Sequence, residues 1–430
     1  MTTKELIEID PAALRKFLEN QNLSRHEFAE RLGVSTKTVQ RWVNESVRRV
    51  RPDTLERIAG VFKTTPDQLC KTSVPIETRP INRALEEICS ENFLNRIRAG
   101  DEFPSYLKLL KSFNPSELCS AQKLTLFIHI GLTSFHLQKT KSSRLYFDEA
   151  LKIANCLNEP EKAVSILTWS ALRENFSGNH REAIDLIDRS EFFLPQTQGS
   201  LSARCEFLFR KAQVLYQSEN PVAAIPMMRE CILLEYKIHP TIDAYKLGVK
   251  YFHLSECYLR LRDYGNARRA LLKSYKMAEK CGWVRGQSYS HYSLGIIRLF
   301  KREEPEHVRS SMNKARQLKA FTGPQRINTK AEHREFIYLV QQQKFDEAKA
   351  MVLFNIRNSR RYSYFLSYAI LDGLFFAKIA PLHLQMRPSL IARAEDYFRR
   401  NNLPQSLKTL EQLKSKEQIT FDELLELYVF

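Results

Sequence analysis

Apolar residues near the N-terminus recur at three- and four-residue intervals, the spacing of one face of an α-helix. Four segments share this pattern: Leu14, Phe17 and Leu18; Phe28, Ala29 and Leu32; Val39 and Trp42; and Leu55, Ile58, Ala59 and Phe62. Cap residues suggest the boundaries, since Asp10 precedes Pro11 before the first helix and Thr65 precedes Pro66 before a short fifth one. Residues 1–70 are therefore expected to form a domain of five helices.

The second and third of these helices are joined by a tight turn. Ser24 and Glu27 have the spacing of a capping box, so the second helix should begin at Arg25. Gly33 can adopt the left-handed conformation that ends it, and Ser35 can cap the third helix. Short polar and cationic side chains remain on the outer face of the third helix, as reading base edges in a major groove requires.

Residues 11–69 resemble the helix-turn-helix of the phage Cro and lambda-repressor (Xre-type) family. Ala29, Gly33 and Val39 occupy the family's small, turn and core positions, and Trp42 completes the set. The resemblance implies a DNA-binding domain with these contact residues: Arg25, Ser35, Thr36, Lys37, Thr38, Gln40 and Arg41. The alternative is a helical bundle whose polar face is only solvated.

The loop beyond the third helix contains three arginines, Arg48, Arg49 and Arg51. In this kind of domain such a loop lies near the sugar-phosphate backbone, where arginines position the protein and add salt-dependent affinity. The alternative is an exposed charged loop without a partner.

Residues 71–83 contain two prolines and no helical periodicity, which predicts a linker. From residue 84 to residue 430 the pattern is helical and repeats. Small residues on the first helix of each unit stand at 131, 171, 212, 255 and 295, so successive gaps are 40, 41, 43 and 40 residues. Two packed helices per unit need a small side chain where they touch, and stacked units bury a continuous core. Ala348 marks a sixth, weaker unit.

Residues 120–356 resemble tetratricopeptide repeats, most clearly at residues 254–282. The fold class expected is therefore all-α, with the helix-turn-helix domain followed by an α-solenoid. In this register the first helices form a concave surface with amides and aromatic rings suited to a peptide. The candidate peptide-binding residues are Asn175, Phe209, Gln213, Tyr216, Gln217, Phe252, Glu256, Arg260, Tyr289 and Tyr292. The alternative is that these side chains are ordinary core between repeats.

Charge changes this picture little. The formal net charge is +17, which fits a polyanionic partner, but residues 1–70 carry 12 basic and 10 acidic side chains, so 15 of the excess charges lie elsewhere. The 8 cysteines are scattered without a CxxC pair, and no secretory signal or long apolar run is present. We expect a soluble cytoplasmic protein with reduced thiols and with no metal or cofactor.

Taken together, the two halves resemble the RRNPP regulators and the phage arbitrium receptors. That resemblance implies a homodimeric transcriptional regulator that senses a short signalling peptide through its repeats. An alternative is a dimeric regulator whose repeats serve only oligomerisation or protein-protein interaction. An enzyme is not expected, because the sequence has no phosphate-binding GxxxxGK[ST] loop, no nucleophile elbow and no metal-spaced histidines.

Overall fold

The computed structural model describes residues 7–21, 23–44, 47, 49–62, 64, 66–69, 80–100, 102–238, 243–322, 334–360 and 362–428. The chain divides into two compact units, a head unit (Met1–Glu86) and a repeat unit (Glu87–Phe430). The regular structure described is helical apart from one two-residue ladder, which confirms the all-α prediction.

The head unit contains four α-helices where they were predicted. They are α1 (Pro11–Asn20), α2 (Arg25–Leu32), α3 (Thr36–Val43) and α4 (Pro52–Phe62). The predicted fifth helix is a single 3₁₀ turn (Pro66–Leu69), and its expected cap, Thr65, lies outside the described residues. A short antiparallel ladder between β1 (Ile7–Glu8) and β2 (Arg49–Val50) was not predicted, because two-residue strands are too short to show periodicity.

The predicted apolar faces of the four helices form the core of the head unit. Leu14, Phe28, Val39 and Ile58 are fully buried there. The ring of Phe62 stacks on Phe28, with 4.7 Å between the ring centroids. This core holds α3 in place with its other face turned outward.

The structure describes a helix at the C-terminal end of the predicted linker. A helix, α5 (Pro80–Ile88), begins at Pro80, since proline fits the first helical position, where no backbone N–H is needed. Residues 71–79 lie outside the described residues.

The repeat unit begins with shorter helices and continues as helix pairs. The early elements are α6 (Glu91–Gly100), α7 (Phe103–Leu110) and a 3₁₀ turn (Pro115–Glu117). The pairs are α8 (Ser120–His136) with α9 (Thr140–Cys156), α10 (Pro160–Ser177) with α11 (His180–Phe193), α12 (Leu201–Gln217) with α13 (Pro221–Ile238), α14 (Ala244–Arg260) with α15 (Tyr264–Lys280), α16 (Val284–Phe300) with α17 (Pro305–Ala320), and α18 (Glu335–Gln341) with α19 (Phe345–Asn358). A 3₁₀ turn (Leu194–Thr197) follows α11.

The small residues lie where the repeat pattern requires them. The five predicted positions all fall on the first helix of a pair, and Ala348 falls on α19. A Cβ atom at Gly131 would come within 2.7 Å of the Phe147 ring on the partner helix. Close helix contact therefore explains the small residues, and the predicted repeat is confirmed.

The turns inside the pairs carry a second sign of the same period. Each has a residue with positive φ: Gln138, Gly178, Glu219, Arg262, Arg302 and Gln343. Successive gaps are 40, 41, 43, 40 and 41 residues. The backbone therefore repeats even where the side chain at the turn does not.

Four C-terminal helices pack across these turns: α20 (Ser363–Ile379), α21 (Pro388–Arg400), α22 (Pro404–Ser415) and α23 (Phe421–Leu427). The carboxylate of Glu219 accepts hydrogen bonds from the backbone N–H groups of Gln405 (2.7 Å) and Ser406 (3.0 Å) at the start of α22. Arg302 pairs with Asp422 at 3.0 Å. The C-terminal helices are therefore bonded to the turns of the helix pairs along one edge of the repeats.

Candidate functional site

The two helices α2 and α3 are fixed by local hydrogen bonds. The N–H of Glu27 donates to Ser24 Oγ (3.2 Å), and the N–H of Ser24 donates to Glu27 Oε2 (2.9 Å), which completes the predicted capping box. The hydrogen bond from Ser24 lowers the pKa of the Glu27 carboxyl. Gly33 is left-handed, with φ of 64°, and Ser35 Oγ accepts from the N–H of Thr38 at 3.1 Å.

The outer face of α3 is polar and accessible. Lys37, Gln40 and Arg41 are exposed, while Thr36 and Thr38 are half-buried. The remaining predicted DNA contacts that the structure describes are also exposed: Arg25, Ser35, Arg49 and Arg51. Arg48 lies outside the described residues. The structure thus gathers a cationic and hydroxyl-bearing surface on and beside one helix, and its role in DNA contact stays a prediction.

Two residues that sequence reasoning missed hold this motif together. His26 Nδ1 lies 3.3 Å from Thr36 Oγ1 and links the start of α2 to the start of α3. The guanidinium of Arg57 on α4 donates to the carbonyl of Leu32, beside the turn at Gly33. The cap and turn pattern contains no signal for either, because both bonds depend on how the helices meet.

A second candidate site is a cavity of about 510 Å³ inside the repeat unit. Its walls come mainly from the first helices α8, α10, α12, α14 and α16, with α6, α7, α13 and α20 adding to them. Seven of the ten predicted peptide-binding residues line it: Phe209, Gln213, Tyr216, Gln217, Phe252, Glu256 and Tyr289. Peptide contact by these residues stays a prediction.

The other three predicted residues lie outside the lining because neighbouring helices engage their side chains. Asn175 hydrogen-bonds to Gln217 and to His180. Arg260 donates to the backbone carbonyl of Tyr216 at 2.7 Å. The hydroxyl of Tyr292 donates to Glu335 at 2.8 Å. Asn175 and Arg260 thus position two lining residues, Gln217 and Tyr216, without lining the cavity themselves.

The cavity also contains charged side chains, and all of them except Glu256 were not predicted. Among the described residues, six basic side chains (Arg98, Lys162, Arg210, Lys246, Lys250 and Arg285) and five acidic ones (Glu91, Glu161, Glu206, Glu235 and Glu256) line it. Several are paired: Lys250 with Glu235 at 2.7 Å, Arg98 with Glu91 at 3.1 Å, and Lys246 with Glu91 at 3.3 Å. Burial alone would raise the pKa of Glu91, but Arg98 and Lys246 outweigh it and lower that pKa to about 2.

The repeat period contains a signal that could have identified part of this lining. The residues two positions before the small residues of the first four pairs are His129, Trp169, Arg210 and His253, and all four line the cavity. The guanidinium of Arg210 lies 3.5 Å from the centre of the Trp169 ring. Burial lowers the pKa of His129 and of His253 to about 4, so both imidazoles are neutral at pH 7.

Other kinds of site are not evident in the part of the chain that the structure describes. No three His, Cys, Asp or Glu side chains there are grouped as metal ligands. No helix among those residues is long and apolar enough to cross a bilayer. The seven described cysteines are free thiols.

Comparison with known families identifies two parts of the chain. A helix-turn-helix family model matches residues 14–69, and a tetratricopeptide repeat model matches residues 251–281. Both predicted resemblances are thereby confirmed: the chain carries an N-terminal helix-turn-helix domain followed by helical repeats. No curated protein sequence matches the chain.

Solved structures with a similar arrangement share little sequence with this chain. Bacillus thuringiensis PlcR, in complex with the peptide PapR7 and DNA, is 15% identical over 63% of this chain and 94% of its own, with a TM-score of 0.37. A Rap protein complexed with competence and sporulation factor is 12% identical over 97% of this chain and 100% of its own, with a TM-score of 0.48. Apo RapI is 12% identical over 85% and 96%, with a TM-score of 0.43. At these TM-scores the likenesses carry no inference about the site.

Proposed function

We propose that this chain is a transcriptional regulator that reads an operator with α3 and responds to a short peptide held in the cavity of its repeat unit. The helix-turn-helix domain supports the first part, because an anchored helix with an accessible cationic face can enter a major groove. Thr36, Lys37, Gln40 and Arg41 would contact base edges, and Arg49 would contact phosphate. Such a regulator works in the cytoplasm, where its operator is.

The single observation that carries the second part is the cavity itself. Its volume of about 510 Å³ falls within the range of ligand pockets, roughly 300–1,000 Å³. Aromatic rings and the two amides of Gln213 and Gln217 line its walls, and this mixture can hold both the side chains and the backbone of a peptide. Gln213 and Gln217 are already hydrogen-bonded within the protein, so a peptide would exchange or extend those bonds. The role is binding rather than catalysis.

The regulator is proposed to act as a homodimer. Two heads on paired half-sites would make the operator a palindrome whose spacing follows the dimer. A peptide that prefers one arrangement of the repeats would shift DNA affinity by its differential affinity for the two states. Sedimentation of the full chain with and without operator DNA tests this, and a monomer on DNA would contradict it.

The DNA assignment is tested by comparing two arginines of the head unit. Operators are first selected from random duplexes with the full chain. Arg41→Ala should then weaken operator binding by about 1–3 kcal/mol and leave random DNA less affected, because a base contact is lost. Arg49→Ala should weaken both alike and reduce the salt slope by about one.

Arg204→Ala is the matched control, since it removes one positive charge from an exposed arginine of the repeat unit. Equal losses on operator and random DNA for Arg41→Ala would remove α3 from base reading. Failure to select any preferred sequence would overturn operator recognition as a whole.

The peptide assignment is tested by thermal unfolding of the full chain with the small-peptide fraction of spent medium from the source organism. A rise in the midpoint that grows with the logarithm of the peptide concentration is expected, because a ligand that binds only the folded state stabilises it by RT ln(1 + [L]/Kd). No shift with a concentrated fraction would favour the alternative regulator, whose repeats serve only oligomerisation or protein contact.

A further inference from the structure

Two buried arginines of the repeat unit have different electrostatic environments. Arg334 is fully buried and makes two hydrogen bonds to the carboxylate of Glu256, at 3.1 and 2.9 Å. Burial alone would lower its pKa, but the Glu256 carboxylate outweighs burial and the pKa rises. Arg334 is therefore an arginine whose charge the fold itself compensates.

Arg210 is almost as deeply buried, with 9% of its surface exposed, but its compensation is weaker. Its guanidinium donates to the neutral Gln213 Oε1 at 2.7 Å, and the nearest carboxylate oxygen, on Glu206, is 3.9 Å from Nη2. In the described part of the chain, Arg210 Nε is buried without a hydrogen-bond partner. Burial lowers the pKa of Arg210 to about 10, and the Glu206 charge only partly opposes this.

Two further arginines share the cavity with Arg210. Arg98 and Arg285, from two other helices, line the same cavity. Burial lowers the pKa of His136, another lining residue, well below its usual value, and Arg98, Arg210 and Arg285 lower it further. The imidazole of His136 is thus neutral and able to donate a hydrogen bond without adding charge.

The lining charges favour a ligand that brings negative charge. Over the described lining residues six side chains are basic and five are acidic, and one of the acidic ones, Glu256, is already paired with Arg334. A ligand with a carboxylate reduces that excess of positive charge. Stacking on the Trp169 ring fixes the plane of the Arg210 guanidinium. A guanidinium held in one plane is oriented for bidentate hydrogen bonding to a carboxylate.

We propose that Arg210, stacked on Trp169, binds a carboxylate of the peptide, so that the cavity selects peptides with an accessible negative charge. This inference rests on the proposed peptide-binding function. The carboxylate can come from an acidic side chain or from the free C-terminus of the peptide, and the chemistry at Arg210 is the same.

Affinity selection from random tetrapeptides tests the proposal and separates the two sources. Four pools are incubated with the full chain, and retained peptides are identified by mass. The pools have a free or an amidated C-terminus, and either contain Asp and Glu or contain Asn and Gln in their place. Wild type should retain pools that carry a carboxylate roughly 10- to 100-fold better than the neutral amidated pool. Loss on amidation identifies the C-terminus, and loss on amide substitution identifies a side chain.

Variants of Arg210 show whether this side chain makes the selection. Arg210→Met should remove the preference for a carboxylate, and Arg210→Lys should keep part of it. Arg204→Met is the matched control, because Arg204 lies on the same helix, is exposed and pairs with Glu230 at 2.6 Å. It should bind all four pools as wild type does.

The stability of the free protein gives a second readout. If Arg210 is kept for a ligand, Arg210→Met should leave the thermal midpoint unchanged or raise it by roughly 2–4 °C, because an undercompensated buried charge is removed. A fall as large as that of Arg334→Met would make Arg210 a structural residue and overturn the proposal. Equal retention of the neutral pool would overturn it too, while leaving the peptide receptor intact. Retention of no pool by wild type would overturn both.

Discussion

The head unit and the repeat unit place their candidate sites in opposite settings. In the head unit the site is a surface: Lys37, Gln40 and Arg41 are exposed and lie on one helix. In the repeat unit the site is an interior: charged and aromatic side chains from nine helices surround one cavity. The polar side chains of the head-unit site are exposed to solvent, whereas those of the repeat-unit site are buried in contact with one another.

This difference determines what each unit must stabilise. The head unit keeps its charges solvated, so its stability depends on a small apolar core and a few caps. The repeat unit removes ionisable groups from water, so its stability depends on keeping them paired or neutral. Sites on surfaces can therefore change without loss of the fold, whereas several ion pairs that line the cavity also stabilise the fold.

The largest expected difference between the two units is in their stability to mild acid, which should destabilise the repeat unit much more than the head unit. Burial lowers the pKa values of His129, His180 and His253 in the repeat unit to about 4. Because the unfolded chain takes up these protons near pH 6.5 and the folded chain does not, stability is full above pH 6.5 and falls as the pH drops toward 4. From pH 7 to pH 5 each site should cost about 2 kcal/mol, and the three together several kcal/mol.

Hydrogen exchange resolved by peptide fragment would measure this in each unit separately. The head unit has one histidine, the exposed His26, and its protection should change little over the same range. His129→Gln should reduce the slope for the repeat unit. An equal loss of protection in both units would show that the buried histidines do not determine the response of the repeat unit to acid.

Removing one member of a buried ion pair should be the next largest effect. Arg334→Met leaves the Glu256 carboxylate buried without its cation, which should cost about 3–5 kcal/mol of unfolding free energy. The double variant Arg334→Met with Glu256→Met should recover most of that loss. The exposed Arg41→Met should stay within about 0.5 kcal/mol of wild type in denaturant unfolding. A stable Arg334→Met protein would mean that the pair contributes little.

A matched pair of helix caps gives the smallest and most local comparison. Ser24 caps α2 in the head unit and Thr420 caps α23 in the repeat unit, each in a capping box with a glutamate three residues on. Either change to alanine should cost about 1 kcal/mol. Calorimetry should show a fall of roughly 4–8 °C for the head transition with Ser24→Ala, and less than about 4 °C for the repeat transition with Thr420→Ala. A larger shift for the bigger unit would contradict this.

The sequence predicted most of the head unit because its determinants are local. Ser24, Gly33 and Ser35 act on residues no more than a few positions away, so their spacing alone predicts the caps and the turn. The repeats were predictable for a related reason, since a small residue is needed at each helix contact and the contacts recur. Two-residue strands and a 3₁₀ turn carry no such pattern.

The chemistry of the cavity was less predictable because it depends on distant partners. Glu256 is paired with Arg334, 78 residues away, and Asn175 is engaged by Gln217, 42 residues away. The repeat register predicts which side of a first helix faces the cavity, but it does not show which of those side chains a neighbouring helix engages. The column of His129, Trp169, Arg210 and His253 has the repeat period, but its meaning appears only when the neighbouring helices are in place.

The C-terminal helices that fasten the repeat turns also determine how the protein can be made. An open array of helix pairs can fold from any pair outward, since each contacts only its neighbours. Here the hydroxyl of Tyr362 donates to the carbonyl of Phe135, 227 residues earlier. The backbone N–H of Ser406 donates to the carboxylate of Glu219, 187 residues earlier. Tyr364 and Phe365 of α20 complete the cavity wall. During synthesis the helix pairs can form as they leave the ribosome, but the cavity is complete only after α20 to α23 have emerged and docked. Long-range contacts of this kind make that final step the slow one.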